Sequence, residues 1–268
     1  MRNIIIIIIR NFFGLFGILL IRATKKDDLV SFIKKLSPLK TNLELIRLGP
    51  NGDGGYLVPD DLENIEACFS PGVDKISEFE KACSLLEMKI FMADKSVDNP
   101  ILDIEKYRYK FLKKYIGITS NEDYITMDNW VNSNLDNTNS DLLLQMDIEN
   151  SEYISIANMS EDLLNRFRII VIEFHNLQCL WEPQFFNLCT SVFDKLLMNH
   201  SIVHIHPNNC CGSHIQSEIE IPRVAEFTFL RNDRISFTEL QKSFPHKLDH
   251  KNTDNKDLVL PNLWFQEN

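Results

Sequence analysis

The stretch LLLQMDIENSEY, Leu142 to Tyr153, places Asp147, Glu149 and Glu152 within six positions. Carboxylates this close repel one another unless a cation, a proton or a donor uses them. A metal site, an acid/base pair, a ligand clamp and a strand end followed by a helix cap all fit the spacing. Glu173 and His175 follow in RIIVIEFHNL, then His204, His206, Asn208 and Asn209 in SIVHIHPNN. Imidazole and carboxylate groups exchange protons near neutral pH and also bind divalent first-row metals. A different chemistry is suggested by Ser70, Pro71 and Gly72 in CFSPGVD and by Asp94 in KIFMAD. A glycine turn after a strand lets a ligand approach the backbone. An acid ending the next strand is placed to accept both hydroxyls of a ribose. Each feature has a plainer reading. Asp94 caps a helix. Glu173 and His175 bond loop backbone. HIHPNN closes a polar turn with Asn208 and Asn209 holding backbone. Glu152 sits in a first helical turn, where the dipole favours an acid without any function.

These residues need a frame to bring them together. IEACFS, KIFMAD, YIGI, DLLLQMD, RIIVIEF, SIVHIH and RVAEFTFL read as strands. DKISEFEKACSLLE, IEKYRYKFLKKY, EYISIANMSEDLLNRF and PQFFNLCTSVFDKLLMNH read as helices between them. The alternation predicts an α/β fold, a mostly parallel seven-stranded sheet with helices on both faces. Ligands of such sheets bind beyond the carboxyl ends of the strands, where all the residues above except Glu152 fall. Upstream, Leu29, Phe32, Ile33 and Leu36 mark one helical face that Pro38 ends. LELIRLGPNGDGGYLVP reads as a hairpin or wide turn. Segments 132–140 and 246–257 read as polar loops. Trp130 and Trp181 lie in loops near strand ends, as packing or as an acceptor pocket wall. The chain divides into a hydrophobic segment 1–23, a helix and hairpin-like cover 24–64, and the main domain 65–268.

The chain has 268 residues and a net charge of −10. Its first 26 residues hold Arg2, Arg10, Arg22, Lys25 and Lys26 and no acid, which leaves −15 for the rest. A body that acidic excludes a general nucleic-acid binder and disfavours an anionic polymer as substrate. None of the six cysteines is in CxxC spacing, which fits free thiols in a reducing compartment. Asn3 to Ile21, NIIIIIIRNFFGLFGILLI, is long enough to span a bilayer. Arg10 opposes insertion by ~2.5–3.5 kcal/mol, against a run of six isoleucines. No small-x-small cleavage site follows, so the segment is expected to persist. A single-pass anchor, a helix lying in the membrane interface and a helix packed on the domain all fit it. The flanking cations put the domain on the cytoplasmic side of a membrane; a cytoplasmic protein is the alternative.

SPGVDKISEFE, MAD, TMDNW, LLLQMDIENSEY, IIVIEFHNL, VHIHPNN and VAEFTFLR occur in this order between about Arg47 and Leu260. Together they resemble the FkbM-like class of S-adenosylmethionine-dependent methyltransferases, in particular a branch with DGGY ahead of the first strand and HxHxNN near the sixth. The resemblance implies a class I, Rossmann-like methyltransferase sheet with a reversed last strand. It implies a cofactor set of Ser70, Pro71, Gly72, Asp74, Glu80, Asp94, Asp128 and Asp147, with Asp53 and Tyr56 of DGGY covering it. It implies transfer to oxygen on a small molecule, sugar or glycan. Such transfer is an in-line displacement in which alignment matters most. A hydroxyl acceptor is helped by a base, His175 first, with His206, Asp147 and Glu173 as alternatives. The chain departs from the family in having fewer glycines in the first loop and DIEN at Asp147–Asn150 where the family has DIEG. A membrane-anchored relative without turnover therefore remains an alternative. So does a metal-dependent hydrolase built on Asp147, Glu173, His175, His204 and His206, although no spacing here is diagnostic of a metal.

Overall fold

The computed structural model describes residues 2–18, 20, 22–73, 77–100, 102 and 107–266. Seven strands pair into one sheet: β1 (Ala67–Pro71), β2 (Lys89–Ala93), β3 (Tyr109–Leu112), β4 (Leu142–Met146), β5 (Phe167–Phe174), β6 (His200–Pro207) and β7 (Ala225–Arg231). Their order is β6-β7-β5-β4-β1-β2-β3. The pairs among β1 to β5 are parallel, and β7 runs antiparallel between β5 and β6. The last strand is thus reversed. Every residue of β4 and β5 is buried, which is why LLLQM and FRIIVIEF are nearly continuous apolar runs rather than alternating ones. The chain winds outward from β1 to β3 and then in the other direction from β4. The order therefore reverses between β1 and β4, the position at which sheets of this kind open a crevice.

Seven α-helices are present among the described residues: α1 (Arg2–Gly14), α2 (Lys26–Lys35), α3 (Glu78–Leu85), α4 (Met127–Asn132), α5 (Glu152–Asn158), α6 (Glu161–Arg166) and α7 (Pro183–Leu197). One sheet face is covered by α2 and α4 to α7. There Phe193 meets Phe174, Phe227 and Phe32 with ring centroids 4.7, 5.2 and 5.8 Å apart. Trp130 stands edge-on to Phe69 at 5.0 Å, so it is core rather than pocket wall. Only α3 covers part of the other face. A hairpin of Leu45–Leu48 and Tyr56–Pro59 takes the place of further helices, pinned to β7 where Thr228 Oγ1 donates to Leu57 O at 2.7 Å. The expectation of helices on both faces holds for α3 and fails for the rest of that face.

Three local readings are corrected. IEKYRYKFLKKY is not a helix where it is described: Tyr109–Leu112 is β3, paired with Ile90–Ala93. Tyr109 and Phe111 pack inward while Lys110 is exposed, the pattern of a charged edge strand. Tyr115–Ile116, expected as the third strand, pairs instead with Tyr124–Ile125 outside the main sheet. EYISIANMSEDLLNRF breaks into α5 and α6 because Ser160 starts a new helix, its Oγ accepting from Leu163 N at 3.2 Å. Asp74 lies outside the described residues. No described helix is long and apolar enough to cross a membrane, which removes support from the single-pass reading.

Candidate functional site

Strand register builds the site. Glu226 on β7 pairs with Glu173 on β5 and with His206 on β6, so three ionisable side chains stand in one row beneath the hairpin. Burial raises the Glu173 carboxyl well above its usual range, and the charges of Asp147 and Glu226 add to this. Asn208 Nδ2 answers with contacts of 3.3 and 3.2 Å to both Glu173 oxygens. Burial likewise pushes Glu226 up to about 7, although His206 opposes it. Asn252 Nδ2 donates to Glu226 Oε1 at 2.7 Å and to Asp53 Oδ1 at 3.3 Å. That fixes the amide, so its Oδ1 faces His206 Nε2, 3.1 Å away, which must carry a hydrogen. His206 Nδ1 lies 3.7 Å from Asp249 Oδ1. Burial alone would lower the His206 pKa, but the Asp249 hydrogen bond and the Glu226 charge lift it to about 9.

The HIHPNN segment therefore clasps the chain some forty residues further on. His204 Nε2 is 2.9 Å from Asp249 Oδ1. Asn209 donates to Thr253 O and Asn255 O at 3.1 and 3.0 Å and accepts from Thr253 N at 2.9 Å. The polar stretch 246–257 is thus a strap held against the sheet end. His206 has both ring nitrogens engaged and is not open to an acceptor.

At the end of β4 the three acids divide their work. Glu152, fully buried, uses Oε1 to accept from Ile148 N at 3.1 Å and Asn150 N at 3.2 Å. The same oxygen is 3.1 Å from His175 Nδ1. That nitrogen carries the hydrogen, and Nε2 is left facing Asp147 Oδ1, Glu149 Oε2 and Glu173 Oε1 at 3.9, 3.5 and 3.5 Å. Burial lowers the His175 pKa, but Glu152, Asp147 and Glu149 outweigh it and the net shift is upward. Burial pushes Asp147 up to about 7; His175 opposes this and Glu149 and Glu152 reinforce it. Asp147 Oδ1 is buried without a hydrogen-bond partner. Glu149 and Asn150 take φ of 51° and 79°. Asn150 thus adopts the left-handed backbone that the glycine of DIEG would favour, and asparagine tolerates it. Its Oδ1 accepts from Asn176 Nδ2.

Outside the ends of β1, β2 and β4 lies a cleft of about 390 Å³, walled by Gly72, Asp94, Tyr115, Ile116, Tyr124, Asp147 and Ile148. A smaller hollow of about 70 Å³ shares Gly72 and Asp147 and is closed by Asp53, Gly54, Tyr56, Glu80 and Gln145. Gly72 has φ +84°, and a Cβ there would sit 1.4 Å from Asp147 O. Only glycine fits between the ends of β2 and β4, where Gly72 N donates to Ala93 O at 3.0 Å. Asp94 faces the cleft, its Oδ1 held by Ser96 N at 2.6 Å and Ser96 Oγ at 2.7 Å.

The remaining expected residues divide clearly. Ser70 is buried within 2.5 Å of Glu80 Oε1 and 2.6 Å of Gln145 Oε1, and Gln145 Nε2 reaches Tyr56 Oη at 3.2 Å. It supports the small hollow from behind. Pro71 contributes its carbonyl, which accepts from Asp147 N at 3.2 Å. Asp128 is away from the cleft and accepts from Ser160 N at 3.0 Å and from Ser160 Oγ at the start of α6. Sequence reasoning gave Glu152 only a place in a first helical turn and missed Asp249 and Asn252. Glu152 was visible as an acid among apolar neighbours, while the other two carry no local signal. Two described groups have the spacing to hold a metal: Asp147 with Glu149 and His175, and His204 with His206 and Asp249. Comparison with protein-family models finds no match, and comparison with curated proteins finds none either.

Proposed function

We propose that the chain is an S-adenosylmethionine-dependent methyltransferase acting on oxygen of a small molecule, sugar or glycan, as the sequence resemblance implies. The observation that carries this reading is the cleft at the switch point, with Gly72, Asp94 and Asp147 on its wall. The reversed β7 is the sheet feature the resemblance calls for. The donor set fits the group. Asp94 is a carboxylate for ribose hydroxyls. Tyr115, Ile116 and Tyr124 form an apolar wall suited to a flat base. Asp53 and Glu80 at the small hollow suit the ammonium of an amino acid.

When bound, S-adenosylmethionine supplies a methyl group activated on a sulfonium. The residues of the chain orient the acceptor and handle its proton. His175 Nε2 takes the hydroxyl proton, because Glu152 holds the other ring nitrogen protonated. Glu173, which burial keeps protonated, lies 3.5 Å from that nitrogen, and Asp147, 3.9 Å away, stabilises the imidazolium that forms when it is itself ionised. Asn150 takes the left-handed backbone that the glycine of DIEG would favour.

Calorimetric titration with S-adenosylhomocysteine tests the reading. Wild type is expected to bind, and Asp94→Ala is expected to bind at least about tenfold more weakly, the loss of roughly one charged hydrogen bond. Absence of binding by wild type, or equal binding by Asp94→Ala, would overturn it.

A further inference from the structure

From Ile7 onward α1 presents apolar side chains that no other described element covers. Every described residue from Ile7 to Ile18 is exposed except Phe13, which is half-buried, and Leu15, Phe16 and Ile8 are 83%, 67% and 61% exposed. Phe12 stacks edge-on with Phe13 and Phe16 at 5.6 and 5.4 Å, an aromatic cluster facing solvent rather than core. A contiguous apolar surface of this kind marks a binding face. The reading of a helix packed on its own domain is therefore excluded for these residues.

Length separates the two membrane readings. α1 has 13 residues, about 20 Å at 1.5 Å per residue, against a hydrocarbon core of about 30 Å. It ends at Gly14, and the chain turns at Leu15–Gly17 with Gly17 at φ +72°. It rejoins the domain where Thr24 N donates to Trp181 O at 2.8 Å. At 3.6 residues per turn, Ile8, Ile9 and Phe12 fall on one side, and Arg10, Asn11 and Gly14 fall on the other with a single exposed isoleucine, Ile7, among them. That is the division of a helix lying in a plane between water and oil.

Charge names the surface. The five cations of the first 26 residues precede the first acid, Asp27, while the rest of the chain carries −15. Anionic headgroups attract such a segment and repel such a body. We infer that α1 and the turn after it dock in the plane of an anionic lipid surface, with Ile8, Ile9, Phe12 and Phe16 in the acyl boundary. The domain is held beside the bilayer by its basic link and is kept off it elsewhere by its own charge. This inference does not depend on the methyltransferase reading.

The full-length chain is to be floated with vesicles of phosphatidylcholine alone and of phosphatidylcholine with phosphatidylglycerol. Binding is expected to strengthen at least about tenfold with the anionic lipid and to weaken with salt. Variants Ile8→Trp, Phe12→Trp and Phe16→Trp each add one tryptophan to the buried Trp130, Trp181 and Trp264, and their emission beyond that of wild type is then quenched by lipids brominated at graded depths. All three are expected at one shallow depth, about 5–10 Å below the headgroups. The paired substitutions Phe12→Asp and Phe16→Asp should abolish flotation while leaving the unfolding transition of the domain unchanged. Depths that step through the bilayer centre would overturn the inference in favour of a spanning helix. Self-association without vesicle binding would overturn it in favour of a second copy. Wild-type flotation by the double variant would also overturn it.

Discussion

Glu152 Oε1 lies 3.1 Å from His175 Nδ1, and the same oxygen holds the Ile148 and Asn150 amides. One buried carboxylate thus closes the turn after β4 and sets which imidazole nitrogen stays open. Glu152→Gln keeps an acceptor but removes the charge that raises the His175 pKa. The His175 pKa is expected to fall in the variant, as followed by NMR titration of the ring. Stability should drop by about 1–3 kcal/mol in denaturant unfolding, the range for disturbing a charged, buried hydrogen bond. An unchanged titration curve would show that the contact does not govern His175.

Gly72 and Asn150 share a left-handed backbone but differ in what surrounds them. At Gly72 a Cβ meets the Asp147 carbonyl, so Gly72→Ala combines a steric clash with an unfavourable φ. A loss of about 3 kcal/mol or more is expected, with the cleft displaced and S-adenosylhomocysteine binding abolished. Asn150→Gly relaxes its φ of 79° but gives up the Asn176 hydrogen bond, so it should stay within about 1 kcal/mol of wild type. Equal effects of the two substitutions in urea unfolding would refute the steric account of Gly72.

Titration of the acid row sets the pH dependence. Asp147 and Glu226 keep their protons up to about 7 in the fold, whereas an unfolded carboxyl loses its proton near ~4. The folded state therefore binds more protons between these values, and stability falls as pH rises from ~4 to ~7. His206, raised to about 9, contributes stability that is complete below ~6.5 and is lost as pH rises through 9. Asp249 is depressed: burial would raise it, but His204 and His206 dominate, so its contribution is present above ~4 and lost in acid. The thermal midpoint is expected to be highest in mildly acid solution, near pH ~5, and to decline toward pH 9. Asp147→Asn should flatten the decline between ~4 and ~7 and raise the midpoint at pH 8. A wild-type midpoint that climbs from pH 5 to pH 8 would contradict the buried acid row.

Asp128 anchors the start of α6 through Ser160 and stays clear of the cleft. Asp128→Ala should lower stability by about 1 kcal/mol, as the loss of a helix-start contact does. Binding of S-adenosylhomocysteine, read by calorimetry, should be unchanged. A tenfold weaker affinity would restore Asp128 to the cofactor set.

Strand identity was legible in the amino-acid sequence because burial on both faces leaves a local trace. LLLQM and RIIVIEF have no polar face to show, and the strand ends carry polar residues because ligands and solvent meet the sheet there. The edge strand YKFL was misread because its lysine and tyrosine spacing also suits a helix, and an edge lacks the burial that distinguishes the two. Apolar character made Asn3 to Ile21 a candidate membrane segment by composition, while the length of α1 and the exposure of its described residues from Ile7 onward came only from the structure. Gly72, Asp94 and Asp147 could be named in advance as strand-end residues. That they wall one cleft depended on the order β4-β1-β2, which no local pattern encodes. The clasp of His204 and His206 by Asp249 and Asn252 joins residues more than forty positions apart, so only folding could pair them. Glu152 shows the boundary most plainly. Its sequence position said helix start, and its chemistry was decided by His175, a strand end brought against it by the parallel pairing of β4 and β5.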